Sequence, residues 1–126
     1  MSTVTVTSAS FDTLVEKPGI LVLDWWAAWC GPCRAFAPVF EAASKKHPDV
    51  TWGKVDTDAE QELAGAFAIR SIPTLMIFRD GILIFEQPGM LPGNVLEEIL
   101  GKVRALDMDD VRKKVAEEEA KAKKTG

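Results

Sequence analysis

The chain of 126 residues is long enough for one globular domain with a short extension. Its composition, 47% hydrophobic and 27% charged, excludes a disordered chain, a collagen-like fibre and a bundle of membrane-spanning helices. The net charge of −4 argues against a nucleic-acid-binding protein, which needs a basic surface.

The first hundred residues alternate between strand and helix patterns. In chain order, they predict a strand over 4–7, a helix from about 8 to 16, a strand over 20–25, a helix over 32–47, a strand over 51–56, a helix over 59–67, strands over 74–78 and 82–85, and a helix over 92–104. The early alternation predicts parallel strands joined by crossover helices. Asp80-Gly81 predicts a hairpin, which adds an antiparallel edge. The predicted class is α/β, with a mixed sheet covered by helices on both faces.

The composition changes after Leu106. Residues 107–126 contain six acidic and six basic side chains, and their apolar residues thin out toward the end. Acid–base pairs four positions apart favour a helix. We therefore divide the chain into a domain over 1–106 and a charged helical or frayed extension over 107–126. A docking tail for a partner is the alternative interpretation of the extension.

Cys30 and Cys33 are the only cysteines in the sequence. With His47 as the single histidine, they supply too few ligands for a structural zinc site, so no metal site is predicted. A disulfide across so short a loop would add only about 2 kcal/mol to the free energy of unfolding. The pair therefore indicates redox chemistry more than structural stabilisation.

The stretch Trp29-Cys30-Gly31-Pro32-Cys33 lies between a predicted strand and a predicted helix. A helix N-terminus stabilises a thiolate, because free backbone N–H groups and the helix dipole favour an anion there. Cys30 is therefore the predicted nucleophile and the more exposed thiol. Cys33, one turn later, is the predicted buried thiol that resolves the mixed disulfide. Gly31 and Pro32 keep the connecting turn tight.

Asp24 stands between Leu23 and Trp25 in the predicted core strand. Burial in such a strand raises the pKa of a carboxyl group. Its place near the strand end predicts that Asp24 approaches Cys33 and accepts its proton. A structural aspartate, hydrated or paired with Lys54, is the alternative.

Together, Trp-Cys-Gly-Pro-Cys after a strand with Asp24, then Ile72-Pro73-Thr74 and Gly89, resemble the thioredoxin family over residues 3–105. The resemblance implies a thioredoxin fold, a five-stranded mixed sheet flanked by four helices. It also implies a protein-disulfide reductase that works by dithiol-disulfide exchange and needs no bound cofactor. A thioredoxin reductase, using NADPH and FAD, would recharge the Cys30–Cys33 pair.

The resemblance also implies roles for residues around the cysteines. It matches Asp24 and Lys54 to a buried carboxylate and its lysine neighbour, and Pro73 to a cis-proline that faces the cysteines. On its residues alone, the turn at Pro73 would be an ordinary trans turn. The backbone of Ile72 would bind an extended substrate segment by strand addition. The predicted substrate-binding residues are Trp29, Gly31, Pro32, Ile72, Pro73 and Gly89.

Two other functions fit parts of the sequence. An oxidase or isomerase of the same fold usually has a histidine between its cysteines, so Gly31-Pro32 favour a reductase. A binding module is favoured only by the neutral extension. Since the sequence shows neither an export signal nor a long apolar span, we expect a cytoplasmic monomer. Its expected partners are thioredoxin reductase and disulfide-containing proteins, with neither nucleic acid nor membrane among them.

Overall fold

The computed structural model describes residues 2–125, which form five strands and five helices. In chain order they are β1 (Thr3–Thr5), α1 (Ser8–Glu16), β2 (Ile20–Trp26), α2 (Gly31–Lys46), β3 (Thr51–Asp56), α3 (Gln61–Ala66), β4 (Thr74–Arg79), β5 (Ile82–Pro88), α4 (Gly93–Arg104) and α5 (Met108–Thr125).

The strands form a single mixed sheet in the order β1-β3-β2-β4-β5. β3 is parallel to both β1 and β2, whereas β4 is antiparallel to β2 and β5. The turn between β4 and β5 has positive φ at both central residues, 51° at Asp80 and 82° at Gly81. Such turns match the twist of a two-residue hairpin. The predicted mixed sheet and its antiparallel edge are confirmed.

Alternation along β2 assigns its side chains to two different cores. Leu23 and Trp25 belong to a core with Phe11 of α1. Val22, on the opposite face, belongs to a core with Phe40 of α2 and with side chains of α4. Because side chains alternate along a strand, Asp24 lies on the same face as Val22. The sheet therefore presents Asp24 to the layer that contains α2.

The first strand is shorter than predicted. β1 ends at Thr5, because Thr7 caps the N-terminus of α1 and is not part of the sheet. The Thr7 hydroxyl accepts the backbone N–H of Ser10 at 3.3 Å, and the Ser10 hydroxyl accepts the N–H of Thr7 at 3.0 Å. This reciprocal capping box satisfies backbone donors that a helix N-terminus leaves free.

The third helix is also shorter than the predicted span of 59–67. The carboxylate of Asp56 accepts the backbone N–H groups of Asp58 at 2.9 Å and Ala59 at 3.3 Å. These bonds form an Asx turn, which directs the chain away from helix immediately after β3. α3 therefore begins only at Gln61.

The C-terminal helix α5 follows α4 at the end of the sheet opposite the cysteines. Arg79, at the end of β4, donates from Nη1 to the carbonyl oxygens of Val103 at 2.7 Å and Leu106 at 3.0 Å. Met108 is buried, but most of the following α5 side chains are exposed. The connection between α4 and α5 is thus anchored to the domain, while α5 itself is largely solvated.

Candidate active site

The two cysteines lie at the start of α2, directly beyond the end of β2. Cys30 is the N-cap residue and Cys33 lies in the first turn. Their sulfur atoms are bonded in a disulfide, with Cα atoms 5.2 Å apart. The backbone N–H of Cys33 points at Sγ of Cys30, with an N–S distance of 3.2 Å. This N–H would stabilise a Cys30 thiolate in the reduced protein.

Both cysteines are buried. Cys30 is 5% exposed and Cys33 is 2% exposed. The order agrees with the prediction that Cys30 is the more accessible, but the contrast is small. The reason is the packing around them, since Ala27, Trp26 and Ile72 surround the pair.

The segment before β4 faces Cys30. The Ile72–Pro73 peptide bond is cis, as the family resemblance implied. Sγ of Cys30 lies 3.6 Å from the carbonyl oxygen of Ile72. Gly89 donates its N–H to the carbonyl of Pro73 at 2.8 Å, has φ of +94°, and leaves open space where a Cβ would stand. The structure therefore brings Cys30, Ile72, Pro73 and Gly89 together at one end of the sheet.

Asp24 is fully buried beside a single lysine. Its exposed fraction is 0%, and neither carboxylate oxygen makes a hydrogen bond within residues 2–125. Nζ of Lys54 lies 3.6 Å from Oδ2, across the parallel register of β2 and β3. Burial raises the pKa of Asp24 to about 6, although the positive charge of Lys54 opposes part of this rise. A carboxyl group with this pKa can exchange a proton near neutral pH.

Trp29 is the exposed aromatic residue beside the cysteines. It is 68% exposed, and its Nε1–H donates to Oδ2 of Asp58 at 2.9 Å. Asp58 belongs to the loop after β3 and was not among the predicted site residues. The signal available in the sequence was the predicted parallel pairing of the early strands, which brings their carboxyl ends to one edge. Gly31 and Pro32, in the first turn of α2, are exposed next to Trp29.

Trp26 is a second residue that sequence analysis did not assign to the site. It is partly buried and packs against the cluster formed by the cysteines and Ala27. Nζ of Lys54 lies 5.1 Å from the centroid of its ring. The indole therefore contacts both the cysteine pair and the lysine beside Asp24.

A family model described as Thioredoxin matches residues 2–102. The chain belongs to the thioredoxin family. It is 52% identical over 121 residues to "Putative thioredoxin 2" of Streptomyces coelicolor, covering 96% of this chain and 90% of that protein. It is 37% identical over 103 residues to a thioredoxin of Bacillus subtilis, covering 81% of this chain and 98% of that protein.

A solved structure, a mutant thioredoxin from Halobacterium salinarum, superposes with a TM-score of 0.75 at 28% identity. The match covers 82% of this chain and 92% of the other. The thioredoxin fold predicted from the sequence is thereby confirmed.

Family membership and the disulfide at the start of α2 establish the class of activity. The protein is a thiol-disulfide oxidoreductase, which performs dithiol-disulfide exchange through its Cys-Gly-Pro-Cys pair. Members of the thioredoxin family act on disulfide substrates, need no bound cofactor and are generally reduced by thioredoxin reductase. The predicted oxidoreductase function is confirmed.

Within residues 2–125, no helix is long and apolar enough to span a membrane. The same residues contain no cluster of three or more His, Cys, Asp or Glu side chains arranged to hold a metal ion.

The family-model match ends inside α4, whereas the alignment with the Streptomyces protein extends into α5.

Proposed function

We propose that Cys30 is the nucleophile and Cys33 the resolving thiol of a protein-disulfide reductase. The Cys30 thiolate attacks one sulfur of a substrate disulfide, and the other substrate sulfur leaves as a thiolate. The Cys33 thiolate then attacks Sγ of Cys30 in the mixed disulfide and releases the second substrate thiolate. Two electrons pass to the substrate, and the Cys30–Cys33 disulfide forms. The observation that supports this order is the N-cap position of Cys30, with the Cys33 N–H directed at its sulfur.

Asp24 is the proton acceptor for Cys33 in this mechanism. A thiol must lose its proton before it attacks, and Asp24 lies at the sheet face covered by α2, which contains Cys33. Its raised pKa gives the carboxylate enough basicity to accept that proton near neutral pH. Lys54 keeps a fraction of Asp24 ionised, because its charge opposes the effect of burial.

Substrates bind along the groove beside Cys30. The backbone of Ile72 pairs with an extended segment of the substrate, and Gly89 leaves room for that segment. Trp29 offers an exposed apolar surface at the rim, continued by Gly31 and Pro32. Pro73 follows Ile72, whose carbonyl oxygen lies 3.6 Å from Sγ of Cys30.

The partner that recharges this chain is a thioredoxin reductase, which passes electrons from NADPH through FAD to the Cys30–Cys33 disulfide. The absence of further cysteines in the sequence supports a reducing cytoplasm as the compartment. The size of the chain supports a monomer, and its acidic charge supports protein substrates in place of nucleic acid.

The experiment that tests the function is reduction of insulin disulfides with NADPH and a bacterial thioredoxin reductase. Cys30→Ser should abolish turnover, because no thiolate is left to attack. Cys33→Ser should retain the first attack and accumulate a covalent mixed disulfide, visible on a non-reducing gel. Slow turnover by the intact chain would contradict the reductase proposal and favour a binding module.

We also propose that residues 1–106 form the catalytic domain and that 107–126 form a charged helical or frayed extension that is accessory to catalysis. A chain ending at Leu106 retains the carbonyl contacts of Arg79 with the end of α4. It loses the burial of Met108, which is worth about 2 kcal/mol in the free energy of unfolding. Truncation should therefore lower thermal stability and leave kcat/KM for insulin reduction unchanged. A large loss of kcat/KM in the folded, truncated chain would overturn this division.

A further inference from the structure

Trp26, Asp24 and Lys54 project from the same face of the sheet. Asp24 and Trp26 are two residues apart on β2, and side chains two apart on a strand share a face. Lys54 of β3 is the register partner of Asp24. The three side chains are therefore neighbours by the construction of the sheet, and Trp26 packs against the cluster that contains Cys33 of α2.

The ammonium group of Lys54 lies between an aromatic ring and a carboxylate. Nζ is 5.1 Å from the centroid of the Trp26 ring and 3.6 Å from Oδ2 of Asp24. The Lys54 side chain is 24% exposed, so most of it is removed from water. A cation within about 6 Å of an indole centroid is attracted by the electron density of the ring.

The other surroundings of Trp26 tie it to the redox centre. It packs on the cluster of Ala27, Cys30 and Cys33, against which Ile72 also packs. Its buried Nε1 makes no hydrogen bond to the described part of the chain, so the ring is held by packing and by its contact with Lys54.

We propose that Trp26 is a positioning residue, whose ring holds the Lys54 ammonium beside the buried carboxylate of Asp24. This inference rests on the proposed role of Asp24 as proton acceptor. A lysine ammonium is strongly hydrated and sits on a flexible four-carbon chain. Without the ring, it would turn toward solvent and leave Asp24.

The sign of the effect distinguishes this role from simple burial. If Trp26 acts through Lys54, removing the ring weakens the charge that opposes protonation, and the pKa of Asp24 rises. If Trp26 only excludes water, removing it hydrates the carboxylate, and the pKa falls. Asp56, at the end of β3, shares this face with Lys54, and the cysteines lie at the start of α2. The helices α2 and α4, which cover the face, also carry charged residues: Arg34, Glu41, Lys45, Lys46, Glu97, Glu98, Lys102 and Arg104. From β4, the register partner of Asp24 is the apolar Leu75.

The experiment is a double-mutant cycle read by carbon-13 NMR titration of the Asp24 carboxyl group. It uses the full chain with the Cys30–Cys33 disulfide intact, so that neither thiol titrates. Trp26→Leu is measured in the native background and in a Lys54→Met background. Trp29→Leu is the matched control, because it removes an indole from the same site without touching the lysine.

In the native background, Trp26→Leu should raise the pKa of Asp24 by about half a unit, the size expected of one cation–ring contact. In the Lys54→Met background, the rise should disappear, and Trp29→Leu should leave the pKa unchanged. A fall, no change, or an equal rise without Lys54 would overturn the proposal. If Trp26→Leu fails to fold, Trp26→Phe should give a smaller rise in the pKa of Asp24. An unchanged pKa in Trp26→Phe would then overturn the proposal.

The double-mutant cycle tests the positioning role of Trp26 separately from the proton-acceptor role of Asp24. The titration reports where Lys54 lies, whether or not Asp24 accepts the Cys33 proton. A positive cycle together with normal resolution in Asp24→Asn would retain the positioning role and remove the proton-acceptor role. In reduced protein, the pH profile of mixed-disulfide resolution should move to higher pH in Trp26→Leu, which a purely structural defect would not produce.

Discussion

Asp24 and Asp49 each have a basic partner, and the more buried of the two aspartates is the less completely paired. Exposed Asp49 accepts two hydrogen bonds from Arg104, from Nη1 to Oδ2 at 2.7 Å and from Nη2 to Oδ1 at 3.1 Å. Asp24 is fully buried and has only Lys54, at 3.6 Å from one oxygen. The better geometry thus occurs where water already stabilises the charge.

The pKa values follow the same contrast. The hydrogen bond from Arg104 lowers the pKa of Asp49, whereas burial raises that of Asp24 to about 6 despite Lys54. A carboxylate that is well paired in solvent stays ionised and does no proton chemistry at neutral pH. A buried carboxylate with an incomplete partner remains able to exchange a proton. The site at the cysteines therefore keeps an arrangement that is unfavourable for stability but suited to proton transfer.

Among variants of these two pairs, Asp24→Asn should have the largest effect on activity. Removing a positioned proton acceptor should slow resolution of the mixed disulfide by about a hundredfold at pH 7. Stopped-flow kinetics with a disulfide peptide measures this step directly. Asp49→Asn should leave the rate unchanged. Equal resolution rates for Asp24→Asn and the native chain between pH 6 and 9 would remove Asp24 from the mechanism.

Asp24→Asn should lower activity but raise the free energy of unfolding. Asp24 binds its proton more tightly in the folded protein, where its pKa is about 6, than in the unfolded chain, where it is 3.8. The free energy of unfolding therefore falls as pH rises through this interval, by about 3 kcal/mol in total. Asp24→Asn removes this loss and should be more stable than the native chain above pH 6.

The stability gained by Asp24→Asn should disappear near pH 3, where Asp24 of the native chain is protonated in both the folded and the unfolded state. Urea unfolding at pH 3.5, 5 and 7.5 measures the trend for both chains. A constant difference between Asp24→Asn and the native chain at all three pH values would show that Asp24 is not a buried titrating group.

A smaller effect is expected from Lys54→Met, which leaves Asp24 without its cation. The pKa of Asp24 should rise, because the charge that opposes burial is gone. The pH profile of mixed-disulfide resolution should then move to higher pH, by about one unit. Lys45→Met, on the exposed surface of α2, is the control and should leave the profile in place. An unchanged profile in Lys54→Met would mean that the two charges of the buried pair do not interact.

The smallest effect is expected at the exposed pair. Asp49→Asn breaks the bidentate contact with Arg104, but both groups regain hydration at little cost. The thermal midpoint should move much less than in Asp24→Asn, and added salt should reduce the difference further. Differential scanning calorimetry at low and high salt provides the measurement. A loss of stability as large as the gain in Asp24→Asn would contradict the contrast between the two pairs.

Much of the fold could be predicted from local patterns. The apolar run of β2, the Asp80-Gly81 hairpin and the amphipathic α4 each have a short-range signal, and the structure contains all three. Element ends were less predictable, because they depend on side-chain hydrogen bonds. The capping box at Thr7 shortened β1, and the Asx turn at Asp56 shortened α3.

The sequence by itself determined the chemistry of the cysteines, because the thiols, their spacing and the helix that follows are contiguous in the chain. Burial of Asp24 could also be inferred, since it interrupts an apolar strand. Tertiary structure alone decided which groups surround that chemistry. Asp58 reaches Trp29, and Lys54 reaches both Trp26 and Asp24, from about thirty residues away. No local signal specifies such contacts, because they depend on the register in which β2 and β3 pair.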